Sequence, residues 1–524
     1  MAGGEEIELK FQLDPAALDK LEQKLILRSR AKTPPAPQTL RSIYFDTPDR
    51  ALRKAGLSLR IREAGGRRVQ TIKSEALGVA ARGEWETELR APGLDLPAAA
   101  GTPLQAVLRG AAGPLGPVFA TTVERARRLI RQGAAKIEAV IDRGAIEAED
   151  RTLPICEMEL ELKGGQPQAL FDLARRLSGA APLRLSFETK AARGYRLLDG
   201  QTVGEALKGS RVRLTRGASG REAFQAIAAA ALRQWVGNAA ILRAARRPEA
   251  LHQMRVALRR LRTALKLFEP VVADADYPRL VGELNWLAAE LDQGRDIDVL
   301  IAETFRPAAA RFHDQTGMAG LGERLLKART KAYDRMLGVL DQPRYLVLVL
   351  DMAAWIETGR WADPADPVHG PLADAPVENL ARAGLDKLRR QIRRRGRRLK
   401  TLDPERRHKL RIRAKRLRYA LEFFGDLYEG RTGAGKGGRE AMLGALKALQ
   451  DGLGLLNDMK VARDKGLAIA ESGGRAAGDS EAEGVQEAYA AGLMIGLRLK
   501  DSAALLDQAR KDWSDLMDAK PFWR

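Results

Sequence analysis

Charged and apolar residues alternate along the first part of the chain, from Glu5 to about Ala192. The clearest alternating runs begin at Glu6, Ser58, Gln70, Glu84 and Glu157. A period of two places all the charges of one run on the same face of a sheet. Turn signals rich in Gly, Pro and Asp separate the runs, so this part of the chain predicts an antiparallel sheet or barrel.

Helical spacing occurs twice inside the strand region and then dominates the chain. Two short helices are predicted near Pro15–Leu27 and Gln168–Leu177. After about Gly217, long stretches of Ala, Leu and Arg carry no strand signal. The prolines of Trp361–Pro376 predict a connector without helix. We therefore expect two halves of different structure, with the boundary between Gly200 and Gly220.

The helical half contains an internal duplication. The seventeen residues His252–Phe268 align without gaps on His408–Phe424, with eight identities, of which four are His or Arg. A weaker match follows each copy and pairs Asp296 with Asp458. The copies lie 156 residues apart, which is too far for a solenoid repeat. Two similar helical bundles related by a pseudo-twofold axis are therefore predicted.

The charge balance narrows the class of partner. The 524 residues carry 89 Lys and Arg against 68 Asp and Glu, a formal net charge of +21. Such an excess favours a polyanion, which includes nucleic acid, an anionic membrane and a phosphate polymer. The single cysteine, Cys156, is typical of a reducing compartment. Because we find neither a signal peptide nor a membrane span, we expect a cytoplasmic protein. The oligomeric state is left open.

One face of the predicted sheet would carry both carboxylates and cations. The carboxylates are Glu6, Glu8, Glu84, Glu86, Glu157, Glu159 and Glu161, and the cations are Lys10, Arg60, Arg62, Lys73, Arg125 and Arg127. For a single strand this pattern equally fits a solvated face. Since like charges two residues apart repel, their repetition in several strands indicates a counter-ion between them. Clustered carboxylates suit Mg²⁺ or Mn²⁺, and Arg and Lys suit phosphate oxygens.

The order of these motifs resembles the CYTH, or triphosphate tunnel metalloenzyme, family. The matching motifs are Glu6–Lys10, Ser42–Thr47, Leu59–Arg62, Thr71–Lys73, Glu84–Glu86, Val140–Asp142, Glu157–Glu161 and Phe187–Tyr195. The resemblance implies an eight-stranded antiparallel tunnel that hydrolyses a triphosphate with Mg²⁺ or Mn²⁺. The phosphate contacts that it implies are Lys10, Arg60, Arg62, Lys73, Arg125 and Lys190. The implied metal ligands are Glu6, Glu8, Asp142, Glu159 and Glu161, and the catalytic set is Glu6, Glu8 and Lys10.

Three details of this site stay open. Arg127 and Arg128 follow Arg125 closely and compete for its place. All three glutamates of Glu157–Glu161 share a face, so which two reach a metal is undecided. The substrate is inorganic triphosphate, thiamine triphosphate or a nucleotide. We favour the first, since the aromatic candidates for a base or thiamine selector are expected in the core: Tyr44, Phe45 and Trp85.

Each copy of the duplication carries a basic row on one helix face. The rows are His252, Arg255, Arg259 and Arg262 in the first copy, and His408, Arg411, Lys415 and Arg418 in the second. Like charges at i,i+4 destabilise an isolated helix. Their repetition therefore predicts a polyanionic partner that relieves the repulsion. The alternative for each histidine is that it braces its own helix.

The duplicated pattern is similar to the CHAD family. The likeness rests on His-x-x-Arg-x-x-x-(Arg/Lys)-x-x-Arg together with Asp296, Asp298 and Asp458. It covers roughly 218–515 and implies two four-helix bundles that bind inorganic polyphosphate. No specific nucleic acid is expected, because the basic helices carry few aromatics for base stacking. The three aspartates are either metal ligands or, as we favour, ion-pair partners of the arginine rows.

These patterns together predict an α+β protein. We expect an eight-stranded antiparallel tunnel at 1–203, a linker at 204–217 and a helical domain at 218–515, whose pseudo-symmetric halves are about 218–365 and 377–515. The favoured function is metal-dependent hydrolysis of inorganic triphosphate, with polyphosphate binding by the helices. A non-catalytic polyphosphate-binding protein associated with polyphosphate granules is the alternative.

Overall fold

The computed structural model describes residues 4–28, 36–74, 78–428, 435–473, 481–499 and 502–523. Within these ranges a few side chains, among them that of Glu6, lie outside the description. The chain divides into two compact units. We call them the strand unit (1–208, 232–250 and 340–363) and the helical unit (209–231, 251–339 and 364–524).

An antiparallel sheet of nine strands, counted over the described residues, forms the strand unit. The strands are β1 (Gly4–Gln12), β2 (Gln38–Asp46), β3 (Leu57–Ala64), β4 (Arg67–Ser74), β5 (Ala81–Leu89), β6 (Gly116–Gln132), β7 (Ala135–Ala148), β8 (Arg151–Gly164) and β9 (Arg184–Leu185). Their order is β5-β4-β3-β2-β6-β7-β8-β1-β9. The start of β1 also pairs with β5, from Gly4 opposite Glu84 to Ile7 opposite Ala81. This pairing brings the two ends of the sheet together.

The alternating runs of the sequence lie in strands, which confirms the predicted antiparallel sheet. In β3, for example, Leu57, Leu59 and Ile61 are buried and the residues between them are half-buried. The strand count is nine and not the expected eight. The extra strand, β9, has only two residues, so it is too short for alternation to reveal it.

α-Helices make up most of the remaining structure of the described residues. They are α1 (Pro15–Arg28), α2 (Ala51–Lys54), α3 (Pro103–Leu108), α4 (Gln168–Ser178), α5 (Lys190–Leu198), α6 (Gly220–Ala245), α7 (Pro248–Leu267), α8 (Glu269–Val272), α9 (Tyr277–Val299), α10 (Arg306–Arg311), α11 (Gly317–Leu340), α12 (Pro343–Thr358), α13 (Gly370–Asp374), α14 (Val377–Gly396), α15 (Pro404–Phe424), α16 (Gly435–Gly473), α17 (Glu481–Leu499) and α18 (Ser502–Asp518). The two helices predicted within the strand region, α1 and α4, are confirmed. None of the helices, over the residues described, is long and apolar enough to cross a membrane.

The division between the units differs from the expected domain boundary. Residues 232–250 and α12, which we placed in the first helical bundle, group with the strand unit. There α12 packs on α4, and Arg175 Nε donates to Asp351 Oδ1 at 2.7 Å. Most residues of α12 are buried, because a helix that is apolar on nearly all sides needs cover on all sides. Two self-contained four-helix bundles are therefore too simple a description.

A smaller expectation about the connector was wrong. The segment Trp361–Pro376 contains the short helix α13 and is not free of helix. Pro371 stands in the first turn of α13, where the missing N–H of a proline has no helical partner to lose.

The duplicated segments meet at equivalent positions in the core of the helical unit. The rings of Phe268 and Phe424, which the duplication aligns, lie 5.8 Å apart and are fully buried. The ring of Phe224 lies 5.5 Å from that of Phe268. Arg260 Nη1 of α7 lies 2.6 Å from Glu422 Oε2 of α15. Contact between equivalent residues is what a pseudo-twofold relation produces.

Candidate functional site

A cavity of about 530 Å³ lies inside the strand unit. Side chains from β1, β3, β4, β5, β6, β7 and β8 line it, together with the start of α5. Nine of the predicted site residues are among them: Glu8, Lys10, Arg60, Arg62, Lys73, Arg125, Glu159, Glu161 and Lys190. Asp142 lies fully buried and is not part of the lining. Glu6 pairs through its backbone with Arg82 of β5, and its side chain is outside the described residues.

The floor of the cavity is a cluster of buried ions centred on Lys190. Its Nζ lies 2.7 Å from Asp142 Oδ2 and 3.1 Å from Glu159 Oε1, and it also contacts Glu157 Oε1. Asp142 and Glu157 are 0 % exposed. The hydroxyl of Thr189 caps the start of α5, and this cap fixes Lys190 as the first residue of the helix.

Three further cations complete the cluster. Arg125 Nη2 of β6 lies 2.6 Å from Asp142 Oδ2 and 3.3 Å from Glu159 Oε2. Lys10 Nζ of β1 lies 3.3 Å from Glu159 Oε1. Arg193 Nη1 of α5 lies 3.3 Å from Glu157 Oε2. The three carboxylates thus meet four cations, so the floor of the cavity is positive overall.

These charges fix the protonation states of the cluster. Burial alone would raise the pKa of Glu159, but the charges of Lys190, Lys10 and Arg125 hold that pKa well below its usual range. Burial opposes ionisation of Asp142 too, yet Lys190 and Arg125 lower its pKa. Burial would lower the pKa of Lys190, and the surrounding carboxylates raise it above its usual value. Glu159, Asp142 and Lys190 therefore stay ionised at neutral pH.

The buried carboxylates form a group that could hold a metal ion, but a lysine competes for the same place. Oxygens of Asp142, Glu157 and Glu159 lie within 4.8 Å of one another, which is close enough to share a cation. Lys190 already contacts all three of them. A metal ion at their centre would displace a buried ammonium and add charge to a positive floor. Of the predicted ligands, Asp142 is thereby assigned to the ion cluster, and Glu159 belongs to it while also lining the cavity.

Three other glutamates form a row across adjacent strands. Glu8 of β1 lies opposite Glu161 of β8, and Glu161 lies opposite Glu138 of β7. All three line the cavity, and side chains opposite each other in a sheet are about 4.5–5.5 Å apart at Cβ. Glu161 also contacts Lys163. Carboxylates are the ligands that a hard divalent cation prefers, so the row is a candidate for Mg²⁺ or Mn²⁺. Among the described residues, however, the acidic group whose oxygens lie within 4.8 Å of one another is Asp142, Glu157 and Glu159, so the side chains of the row would have to converge on the ion.

The sequence analysis missed Glu138, although a signal for it exists. Glu138 stands four residues before Asp142 on β7. A strand period of two places residues so spaced on one face of the sheet. Extending the motif Val140–Asp142 backwards by one period would have found it.

The structure distinguishes the three arginines that competed on β6. Arg125 and Arg127 both line the cavity. Arg128 points to the other side of the sheet, where it is buried and its Nη2 lies 3.5 Å from Glu22 Oε1.

A wall of cations on β3 and β4 lines the same cavity. Arg60 Nη1 donates to Tyr44 Oη at 3.4 Å, while its Nε is buried without a hydrogen-bond partner in the described part of the chain. Arg62 lies two residues further along β3. Lys73 Nζ lies 2.9 Å from Glu84 Oε1. An anion in the cavity would give Arg60 an acceptor, which a buried donor otherwise lacks.

Asp46 and Tyr195 hold helices against the cavity. Tyr195 donates its hydroxyl to Asp46 Oδ2 at 2.6 Å, and Asp46 also accepts from the backbone of Leu52 and Arg53 at the start of α2. Burial, followed by the hydrogen bond to Asp46, raises the pKa of Tyr195, so the phenol remains a donor. Gly194, next to it, has no room for a side chain because the ring of Phe119 covers it.

The basic rows of the helical unit lie on α7 and α15, each held by an aspartate. Arg255 Nη2 lies 2.7 Å from Asp292 Oδ1, and its Nη1 lies 3.9 Å from Asp296 Oδ1. In the second copy, Arg411 Nη1 lies 3.8 Å from Asp458 Oδ1. The duplication aligns both the arginines and the aspartates, so the two copies repeat one ion pair.

Two further contacts decide roles that the sequence left open. His408 Nδ1 lies 2.7 Å from Asn457 Oδ1, so this histidine is held by its neighbour α16. Asp298 is buried, accepts from Tyr333 Oη at 2.6 Å and pairs with Arg329 Nε at 2.7 Å. Asp296 and Asp458 thus pair with arginines of the rows, whereas Asp298 pairs with Arg329 of α11, which lies outside the rows.

The two rows approach each other at Arg259 and Lys415, which occupy equivalent positions of the duplication. Burial, followed by the charges of Arg259 and Arg411, lowers the pKa of Lys415 to about 6. The Nε atoms of Arg259 and Arg411 are buried without hydrogen-bond partners among the described residues. Cationic groups are therefore crowded here beyond what the nearby acids compensate, and Lys415 is mostly uncharged at neutral pH.

Two family models match the chain, one over the region of the strands and one over most of the later helices, including residues 232–250 and α12. A family model described as the CYTH domain matches residues 4–195, and one described as the CHAD domain matches residues 226–465. The chain contains a CYTH domain followed by a CHAD domain. Together the two matches account for most of the chain, and they confirm the family resemblance seen in the sequence.

Individual relatives resemble one domain or the other. An inorganic triphosphatase of Haemophilus influenzae is 32 % identical over 207 residues, which are 37 % of this chain and 55 % of that protein. The chain thus spans about half the length of this curated relative. The CHAD domain from the plant Ricinus communis is 31 % identical and covers 59 % of this chain and 96 % of that one, with a TM-score of 0.50.

A third relative has a lower structural similarity. A putative adenylyl cyclase from Hippeastrum, described as having a dominant triphosphatase activity, is 18 % identical. It covers 38 % of this chain and 97 % of that one, with a TM-score of 0.27. This similarity is too low to support an argument.

The ion cluster of the CYTH domain generates a prediction about stability. We expect Lys190→Gln to lower the free energy of unfolding by about 3–5 kcal/mol at pH 7, because it leaves buried carboxylates without their shared cation. Because folding lowers the pKa of Glu159 and Asp142, their ionised carboxylates stabilise the folded protein above about pH 4. This stabilisation is lost as the pH falls through their pKa values in the folded state. The deficit of the variant should therefore shrink in acid. Urea denaturation at pH 7 and near pH 3 measures it.

The matched control for this prediction is Arg184→Gln. Arg184 Nη1 lies 3.4 Å from Asp14 Oδ1 on the surface of the same domain. An exposed pair contributes about 0–1 kcal/mol, so this variant should unfold almost like the wild type. A deficit in Lys190→Gln that is equally small, or that does not change with pH, would contradict the central role of the cluster.

Proposed function

We propose that the CYTH domain hydrolyses inorganic triphosphate to diphosphate and phosphate with the help of Mg²⁺ or Mn²⁺. One observation carries the proposal, namely that the acidic row and the wall of cations line the same cavity. Acids alone would repel a phosphate chain, and cations alone would bind it without need of the acids. Both sets are useful together when a divalent cation lies between carboxylate and phosphate oxygens.

The cations of the cavity divide into two groups by their existing partners. Arg60 and Arg62 are suited to bind non-bridging phosphate oxygens with their planar forks. Lys73 acts as a point charge beside them, although it pairs with the half-buried Glu84. Lys10, Arg125 and Lys190 are already paired with buried acids. We propose that these three residues orient the phosphate chain, because they make the floor of the cavity positive.

The acidic row has the complementary role. Glu8, Glu138 and Glu161 would hold the divalent cation, and Glu6 precedes Glu8 by two residues on β1. When bound, the cation would neutralise carboxylate and phosphate charge together and polarise the terminal phosphorus. Water then forms a new P–O bond at that phosphorus while the bridging P–O bond breaks, and diphosphate leaves. Arg60, Arg62 and Lys73 hold the phosphate oxygens in place during this exchange.

The aromatic side chains support an inorganic substrate over a nucleotide or thiamine triphosphate. Tyr44 lines the cavity but stacks on Phe119, with ring centroids 4.7 Å apart. Tyr195 meets the same ring edge-on at 5.1 Å and is bonded to Asp46. Trp85 and Phe45 pack against the core. Each aromatic group that could stack on a base is thus already engaged.

For the CHAD domain we propose binding of inorganic polyphosphate. Its basic rows, on α7 and α15, hold more cations than the neighbouring acids compensate. The buried Nε donors of Arg259 and Arg411 have no acceptor among the described residues. A flexible chain of phosphates supplies charge and acceptors without demanding aromatic platforms. We also propose that the protein is cytoplasmic and that it associates with polyphosphate granules.

The acidic row yields a prediction about turnover. We expect Glu8→Gln and Glu138→Gln each to lower kcat/KM for tripolyphosphate at least about a hundredfold in the presence of Mg²⁺ or Mn²⁺, since each removes a ligand charge worth several kcal/mol in the transition state. Phosphate release from tripolyphosphate, thiamine triphosphate and ATP is the measurement. A chelator should abolish it.

Glu147→Gln is the matched control for Glu138→Gln. Glu147 lies on the same strand, is exposed and faces away from the cavity, so its variant should keep wild-type turnover. The hydrolase proposal fails if none of the three substrates releases phosphate. The assignment of the row fails if Glu138→Gln behaves like Glu147→Gln.

The basic rows yield a prediction about binding. The variant with Arg255, Arg259, Arg411 and Arg418 changed to Gln should bind polyphosphate more weakly and with a shallower salt dependence. The slope of log K against log salt should fall by about 3, because each lost phosphate contact removes roughly 0.7–0.9. Titration at several salt concentrations measures it. A control in which exposed Arg306, Arg311, Lys327 and Lys331 become Gln should keep the wild-type slope.

Lys415 makes this binding dependent on pH. A bound polyanion favours the charged ammonium, so the complex holds one more proton than the free protein above about pH 6. Affinity should therefore fall by up to about tenfold per pH unit as pH rises above 6. Lys415→Met should bind with a weaker pH dependence than the wild type. Titration of the histidines and of the phosphates affects both proteins equally, so it cancels in this comparison. Equal pH dependence in the two proteins would refute the proton uptake.

A further inference from the structure

A second cavity lies in the helical unit, where the end of α14 meets the start of α15. Its volume is about 340 Å³. It is lined by Arg394, Arg395, Arg397, Arg398, Leu402 and Arg406. Five of the six lining residues are arginines, so the cavity is a concentration of positive charge. We call it the arginine pocket.

Most of these arginines have no acid to balance them. Arg406 Nε lies 3.2 Å from Asp403 Oδ2. Among the described residues, no carboxylate forms an ion pair with Arg394, Arg395, Arg397 or Arg398. The Nε of Arg395 is buried and has no hydrogen-bond partner in that part of the chain. Buried donors are normally satisfied, so an acceptor from outside the protein is indicated.

The arginine pocket lies at a helix junction that the duplication repeats with a different length. α14 ends at Gly396 and α15 begins at Pro404, whereas α6 ends at Ala245 and α7 begins at Pro248. The first copy also carries arginines near this junction, and one of them, Arg243, pairs through its Nε with Asp341 Oδ1 at 3.0 Å. The longer connection of the second copy provides Arg397, Arg398 and Leu402 of the pocket lining.

A line of cations joins the pocket to the basic rows. Burial, followed by the charges of Arg395, Arg416 and Arg394, lowers the pKa of Arg413. In the same way burial, followed by Arg416, lowers the pKa of Arg262 in the first row. The geometry agrees, since Arg413 Nε of α15 donates to Gln391 Oε1 of α14 at 3.3 Å and Arg416 follows three residues later on the same helix face. The cations therefore continue from the pocket through Arg413 and Arg416 to the rows.

We propose that the arginine pocket extends the polyphosphate-binding surface and holds the part of a long chain that runs beyond the two basic rows. The inference rests on the proposed function of the CHAD domain. It adds contacts to that function at the junction of α14 and α15, beyond the row that α15 carries. Affinity then depends on chain length, because only a chain long enough to reach from the rows to the pocket gains its contacts.

The lining of the pocket favours a phosphate chain over single-stranded nucleic acid. Arginine forks match phosphate oxygens. The only other lining residue is Leu402, so no aromatic ring in the pocket offers a platform for a base. Stacking on such platforms supplies much of the affinity for single strands.

The test compares chain lengths in a variant with Arg394, Arg397 and Arg398 changed to Gln. These three side chains are exposed, so the exchange should leave the fold intact, which circular dichroism checks. The variant should bind long-chain polyphosphate at least about tenfold more weakly than the wild type and lose about 2–3 from the salt slope. Its affinity for tripolyphosphate and short chains should be unchanged. The affinity of the wild type should keep rising with chain length, whereas the affinity of the variant should reach a plateau.

A charge-matched control separates the pocket from net charge. It changes exposed Arg306, Arg311 and Lys327 to Gln and should bind all chain lengths like the wild type. An equal loss in control and pocket variants, or an equal loss for short and long chains, would overturn the extension. A different contrary result would be that the wild type binds single-stranded RNA more strongly than polyphosphate. If only the pocket variant lost that binding, the pocket would be assigned to nucleic acid. Failure of the proposed function differs from all of these, since the wild type would then bind no polyphosphate of any length.

Discussion

The ammonium of Lys190 lies among three carboxylates that are almost wholly removed from water, and the architecture of the CYTH domain follows from that arrangement. Isolated, each of these buried charges would carry a desolvation penalty of several kcal/mol. Asp142 and Glu157 come from two neighbouring strands, whereas Lys190 is the first residue of α5. A cation at the start of a helix is disfavoured by the helix dipole. The helix must therefore pack on the sheet, because only then do the buried carboxylates and Lys190 neutralise each other. The cluster thus constrains the fold as well as shaping the cavity.

This constraint separates acids that the alternating pattern treats alike. Glu157, Glu159 and Glu161 stand two residues apart on β8 and share one face. Their depths differ, since Glu157 is fully buried while the side chain of Glu161 is 23 % exposed. The deep acids are neutralised by the protein's own cations. The shallow acid remains available to the cavity, in register with carboxylates on both adjacent strands. Periodicity predicts the face, and burial, which depends on how α5 covers the sheet, decides the role.

The same distinction explains how much could be predicted from the sequence. Alternation identified the strands, the duplication identified the helical repeat, and both families were recognised from ordered motifs. Period-two reasoning stopped at Val140–Asp142 and so missed Glu138, although the signal was present. The two residues of β9 carry no period at all. The grouping of α12 with the strand unit depends on tertiary packing of an apolar helix, which no local pattern encodes.

The two domains handle like charge in opposite ways, and this difference bears on what each requires of an anion. In the CYTH domain the floor cations are already bound to carboxylates, so an incoming phosphate chain gains less from them than their number suggests. A divalent cation at the acidic row changes that balance, because it brings new positive charge that no protein acid has yet neutralised. In the CHAD domain the cations are crowded and undercompensated, to the point that Lys415 loses its proton near neutral pH. Here a bound polyanion would itself remove the repulsion and restore the charge of the lysine, without need of a metal. Hydrolysis, which must stabilise a changing charge at one phosphorus, fits the first arrangement, and retention of a long chain fits the second.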